Sequence, residues 1–238
     1  MKITTVLFDL DGTLLPMDQD LFVKAYFKGL AFRLAPHGYD PQALIDSIWK
    51  GTAAMIRNDG SCTNEEAFWN YFASVFGENA RSDEPKFREF YETEFQNVQK
   101  VCGFTPAARE IIDLVKSLGL RTILATNSIF PAIATETRMR WAGLTPADFE
   151  FYTTYENSTS CKPNPAYYTE ILNKLGLRPE ECVMIGNDAI EDTAALKAGI
   201  RQVFLLTDCL INKDGRDISN FPQGSFNELK EFLEHLND

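Results

Sequence analysis

The chain has 238 residues, 45% of them hydrophobic and 24% charged, with a formal net charge of −11. That length holds one large domain or two small ones, and an acidic balance with no basic patch argues against nucleic acid or an anionic membrane as partner. No stretch approaches the roughly 20 apolar residues of a bilayer span, no signal-peptide pattern opens the sequence, and the five scattered cysteines fit reduced thiols rather than a disulfide framework. A cytoplasmic location is therefore expected.

The first predicted strand is Ile3–Phe8, and it ends in Asp9, Asp11, Gly12 and Thr13. Acids beyond a buried apolar strand need a partner, a hydrogen bond or a cation, and on extended chain the i, i+2 spacing turns both carboxylates the same way. A metal site, a nucleophile and an ordinary acidic turn all remain open on this stretch alone.

Residues 17–100 contain no β-rich run and read as helical throughout. Phe22, Tyr26 and Leu30 recur at helical spacing, Thr63 and Glu66 form a capping-box pattern ahead of an apolar stripe from Ala67 to Phe76, and Phe87, Phe90, Tyr91, Glu94 and Val98 continue it. Such aromatic stripes read as the core of a small bundle rather than a ligand box. Loops are expected near 36–40, 58–62 and 77–84, and Arg57, Asn58 and Asp59 stand before the second of these.

From residue 105 onward short apolar runs alternate with amphipathic stretches. Strands are predicted at 121–125, 150–154, 182–185 and 202–206, and helices near 106–118, 130–142, 164–175, 188–198 and 226–236. Thr105-Pro106 reads as an N-cap with proline at N1, Ser225-x-x-Glu228 as a capping box, and Gly119, Gly143, Gly176 and Gly199 as helix ends. This alternation predicts an α/β fold with a parallel sheet between two helical layers.

Three further strand or helix ends carry polar residues. Thr126, Asn127 and Ser128 follow the second strand, Lys162 stands in a Cys-Lys-Pro segment, and Gly186-Asn187-Asp188 with Glu191 and Asp192 follows the fourth. Ligands of open parallel sheets sit outside the carboxyl ends of the strands, so Asp9, Asp11, Thr126 and Asp188 should share one edge, with Lys162 brought in by a loop. Cys161 beside Lys162 reads as a small space-filling residue, with a thiol acidified by that charge as the other reading. His37 and His235 read as structural or solvated.

These motifs together resemble the haloacid dehalogenase superfamily, in its phosphatase branch. Asp9-x-Asp11-Gly12-Thr13-Leu14 is similar to its first motif, Thr126 to its second, Lys162-Pro163 to its third and Gly186-Asn187-Asp188-(x)3-Asp192 to its fourth, and the helical insertion to its C1-type cap. The resemblance implies a Rossmann-like core at 1–16 and 104–238 with an all-helical cap at 17–103 inserted after the first strand, hinged near Pro16–Asp18 and Gly103–Pro106. It implies Asp9 as nucleophile, Asp11 as acid and base, Thr126 and Lys162 as catalytic phosphoryl holders, and Asn127 beside them at the substrate. Mg²⁺ would be bound by Asp9, the Asp11 carbonyl and Asp188, with Asn187 and Asp192 behind these ligands. The implied activity is Mg²⁺-dependent hydrolysis of a small phosphorylated metabolite through an aspartyl-phosphate, by a monomer or homodimer. A phosphomutase acting on a sugar phosphate and a non-catalytic binding protein on the same scaffold are the alternatives. Where the family's fourth motif often reads Gly-Asp, this chain has Asn187 before Asp188, and the acid at Asp11 disfavours dehalogenation.

Overall fold

β1 (Thr5–Phe8) is fully buried and forms the middle of the sheet, paired in parallel with β2 (Arg121–Leu124) on one side and β4 (Cys182–Gly186) on the other. β3 (Phe151–Tyr152), β5 (Gln202–Leu206) and β6 (Gln223–Gly224) complete a six-stranded parallel sheet in the order β3-β2-β1-β4-β5-β6. The structure, a computed structural model, describes residues 2–238. β6 was not expected from sequence: two residues, Gln223 and Gly224, present no apolar alternation to read.

Side chains alternate between the two faces of each strand. Val6, Phe8, Val183, Ile185 and Phe204 join one apolar cluster with α5 (Ala107–Ser117), α6 (Ala132–Trp141) and α8 (Phe226–Glu234). Leu7, Ile123, Met184, Val203 and Leu205 join another, covered by α7 (Pro165–Leu175). The result is the three-layer α/β core expected from the alternation of runs, Rossmann-like as the resemblance implied. Among the described residues, no helix is long and apolar enough to cross a membrane.

The helical expectation over 188–198 fails in an informative way. Residues 188–192 form tight turns, followed by a short 3-10 segment at Thr193–Ala198. The cause is local: Asp188 Oδ1 accepts from the amides of Ile190 (2.7 Å) and Glu191 (2.8 Å), and Asp192 Oδ2 accepts from those of Asn187 and Asp188 (both 2.9 Å). Carboxylates thus take donors that a helix would otherwise direct to carbonyls.

Between β1 and α5 the chain forms α1 (Gln19–Leu34), α2 (Pro41–Ile56), α3 (Asn64–Phe76) and α4 (Glu84–Glu92), with no strand among them. The Thr63–Glu66 and Ser225–Glu228 capping boxes both form. The stripe through Val98 does not continue as one helix: Thr93 breaks it, its hydroxyl bonding the Glu89 carbonyl at 2.6 Å, and 3-10 turns span Glu94–Val101. Aromatic rings fill the interior and reach the sheet body, with Phe95 5.0 Å from Trp141 and Phe22 6.2 Å from Phe130 between centroids.

Asn64, fully buried at the start of α3, makes a second junction with the sheet body. Its amide donates to the Ser158 carbonyl (2.8 Å), and its Nδ2 lies 3.1 Å from both the carbonyl and the hydroxyl of Ser128, and 3.2 Å from the Ser160 carbonyl. Asn58 completes the set by donating to Asn64 Oδ1 at 2.9 Å.

Candidate active site

The ends of β1, β2 and β4 lie level because the register pairs Phe8 with both Leu124 and Ile185. The ladder carries on one residue further, Asp9 N–H donating to the Ile185 carbonyl at 2.8 Å and Ala125 N–H to the Phe8 carbonyl at 2.7 Å. Asp9, Thr126 and Asp188 therefore emerge together, as the strand-end argument required. The turn after Asp11 depends on Gly12, whose φ is +83° and where a Cβ would lie 2.3 Å from Asn187 Nδ2. That closeness brings Thr13 within reach of both sides: its hydroxyl lies 3.2 Å from Asp9 Oδ2 and 3.0 Å from Asn187 Oδ1. Gly186 is equally constrained, since a Cβ there would sit 2.0 Å from Asp192 Oδ2.

Lys162 is 1% exposed, and its Nζ lies between Asp9 Oδ1 (2.8 Å) and Asp192 Oδ1 (2.7 Å). Burial works against its charge, but Asp192 and then Asp9 outweigh it and hold the ammonium well above the ordinary lysine range. Asp9 is pushed up to about 7, chiefly by burial, with Lys162 opposing and Asp192 and Asp11 adding repulsion. Lys162 sits behind Asp9 rather than on the wall of the adjoining cavity. Asp192 is the residue that orients it.

Asp11 lines that cavity and makes an ion pair with Arg138. Its Oδ2 accepts from Arg138 Nη1 at 2.5 Å, while its Oδ1 is buried without a partner. Burial raises the Asp11 carboxyl, and Arg138 opposes the rise. Arg138 itself has no solvent exposure, and its guanidinium lies 4.3 Å from the centre of the Phe130 ring. Sequence reasoning passed over this arginine because it belongs to the run Thr-Glu-Thr-Arg-Met-Arg, which looks like a solvated helix face.

Thr126 faces the cavity from a backbone pinned by two hydroxyls, Thr153 Oγ1 (2.6 Å) and Tyr167 OH (2.7 Å), which both donate to its carbonyl. Asn127 donates through Nδ2 to the Glu191 carboxylate at 3.1 Å. Glu191, noted in the sequence only as an acid near Asp188, thereby becomes part of the site, and burial pushes it up to about 7 despite Lys162. Asn187 serves the turn, bonding Thr13 and the Cys209 carbonyl (2.7 Å). Cys161 is buried and its thiol is pushed up to about 12, so the space-filling reading stands against an acidified nucleophile. Arg57, Asn58 and Asp59 do not line the cavity.

Five carboxylates, of Asp9, Asp11, Asp188, Glu191 and Asp192, line this one cavity of about 330 Å³, and the cations nearest them, Lys162 and Arg138, are already paired. Such an excess of oxygen acids, with no histidine or cysteine lining the cavity, suits a hard divalent cation and not a soft one. Among the described residues no three acidic, histidine or cysteine side chains close into a ready metal cage.

The geometry is that of a known group of enzymes. A family model described as haloacid dehalogenase-like hydrolase matches residues 3–199. Pyrophosphatase PpaX of Bacillus cereus is 25% identical over 84% of this chain and 82% of its own length. Among solved structures, a 2-haloacid dehalogenase from Pseudomonas syringae superposes with a TM-score of 0.64 at 19% identity, over 98% of this chain and 99% of that one. A putative beta-phosphoglucomutase from Thermotoga maritima gives 0.59 at 21% identity, over 98% of this chain and 99% of that one. With the sheet order, the strand-end acids and the buried lysine already in place, the chain belongs to the haloacid dehalogenase-like hydrolase family.

Proposed function

We propose that the protein is a phosphomonoester hydrolase in which Asp9 attacks phosphorus to give an aspartyl-phosphate. The observation carrying this reading is the buried pair of Asp9 with Lys162, at 2.8 Å, with Asp9 on the floor of the cavity. An unprotonated Asp9 oxygen forms the new bond as the ester P–O bond breaks. Lys162 offsets the charge gathering on the phosphoryl oxygens, and the Thr126 hydroxyl and Asn127 hold them. Asp11 gives its proton to the departing oxygen, then takes one from the water that cleaves the acyl-phosphate. Asp9, Asp188 and the Asp11 carbonyl would hold Mg²⁺, whose charge when bound lessens the repulsion between carboxylate and phosphate.

On this reading the core comprises 1–16 with 104–238, and 17–103 is a cap that excludes water while the intermediate forms. A phosphomutase is less well served, since the cavity has no lysine, arginine or histidine on its wall to pair a second phosphate. With Mg²⁺ the purified protein should release phosphate from phosphomonoesters, a chromogenic one included. Asp9→Asn should lower kcat on the order of 10⁴-fold or more with an unchanged circular dichroism spectrum. A wild-type protein that releases no phosphate across a broad panel sinks the reading.

A further inference from the structure

The cavity beside Asp9 has two unlike ends. Its floor is acidic, and its other walls, drawn from α1, α2, α3 and the loop ahead of α6, include Phe22, Ile48, Trp49, Met55, Phe68 and Phe130. No lysine, arginine or histidine lines it, and the nearby Arg138 is covered by the Phe130 ring and held by Asp11. Away from the floor its polar side chains, Gln19, Thr52, Tyr155 and the Tyr26–Tyr91 pair whose hydroxyls bond each other at 3.0 Å, are uncharged and set among apolar and aromatic surface.

Resting on the hydrolase reading above, we infer that the alcohol esterified to phosphate is an apolar, aromatic one. A carboxylate or second phosphate in that space would face acids with no cation to pair it. The several hydroxyls of a sugar would lose water against walls that are mainly aromatic and aliphatic. An aryl group meets aromatic and aliphatic surface throughout, in a volume of about 330 Å³ that lies near the lower end of small-molecule pockets. Trp49 forms the outer lip, half exposed and 5.3 Å from the Phe27 ring, placed to cover such a group. The bonds balance as in any such ester: Asp9 gains phosphorus, the aryl oxygen leaves with the Asp11 proton, and water returns the proton as phosphate departs.

The test compares kcat/KM for phenyl and 2-naphthyl phosphate with that for glucose 6-phosphate, phosphoglycolate and adenosine monophosphate, each with saturating Mg²⁺. The aryl esters should lead by at least about tenfold. Equal or better turnover of any polar ester overturns the inference and leaves the hydrolase reading intact. Trp49→Ala should cut the ratio of 2-naphthyl phosphate to acetyl phosphate turnover at least about fivefold, and an unchanged ratio counts against the assignment. Should no ester be hydrolysed, the hydrolase reading fails while the cavity is still tested by binding. Trp49 and Trp69 both line it, so their fluorescence reports occupancy. Benzylphosphonate should then bind at least about tenfold tighter than methylphosphonate, and equal affinities overturn the aromatic preference.

Discussion

Asp11 and Arg138 form an asymmetric pair: the guanidinium has no solvent exposure, whereas the Asp11 side chain keeps 20%. Breaking a buried pair costs about 3–5 kcal/mol, because the remaining charge is stranded. Asp11→Ala leaves the buried arginine with the Thr135 hydroxyl at 3.4 Å and the Phe130 ring but no counter-charge, and should approach that figure in urea unfolding. Arg138→Met leaves a carboxylate that still reaches water, so its cost should be smaller, and the double variant should recover part of the Asp11→Ala loss. Equal costs for the two single variants would show that exposure does not set the asymmetry. Activity lost in an Asp11 variant therefore has to be read beside its stability, unlike that of Asp9→Asn, whose partner Lys162 retains Asp192 at 2.7 Å.

At the scale of elements, Asp148 joins α5 to the turn that follows α6. Its carboxylate accepts from Arg109 Nη1 (2.7 Å) and Nη2 (2.6 Å), from Lys116 Nζ (2.7 Å) and from the Thr145 amide (2.8 Å). The Arg109 hydrogen bonds hold it well below the usual carboxylate range, although burial pulls the other way. A carboxyl depressed on folding stabilises the native state above its unfolded pKa, near 3.9. That contribution is lost as pH falls below this value through the folded pKa. Asp148→Asn should thus cost about 1–3 kcal/mol at pH 7 and progressively less as the pH falls below about 4. Thermal unfolding across pH 3–7 checks this, and a penalty independent of pH would mean that packing, not charge, holds the junction.

For the molecule as a whole, the site was legible where chemistry sits at strand ends. Asp9, Thr126 and Asp188 follow short apolar runs, and parallel pairing alone brings such ends together. Lys162 was legible as the one cation of its loop, yet its place behind Asp9 comes from burial that sequence does not display. Arg138 lay hidden because its burial involves Phe130 in the loop ahead of its own helix and Phe22 from the distant α1. The turns after Asp188 were read as helix because periodicity cannot show two carboxylates taking four backbone amides. The aromatic stripes of the helical segment were read as core alone, whereas Phe22, Tyr26, Phe68 and Tyr91 are buried in it and also wall the cavity.

Asn64 gives this arrangement a mechanical consequence. The Ser160 carbonyl and Cys161 sulfur it touches, at 3.2 and 3.3 Å, belong to the two residues immediately before Lys162. On the proposed cap reading, a swing of the helical segment would pull on the loop that carries the ammonium. Access and electrostatic readiness would then be one movement, and an opened enzyme would also be a weakened anion trap. Asn64→Ala should uncouple them, and hydrogen exchange would show it as faster amide exchange at 64–66 and at 158–162 together. Acceleration confined to one of those segments would mean that the lid moves without the lysine.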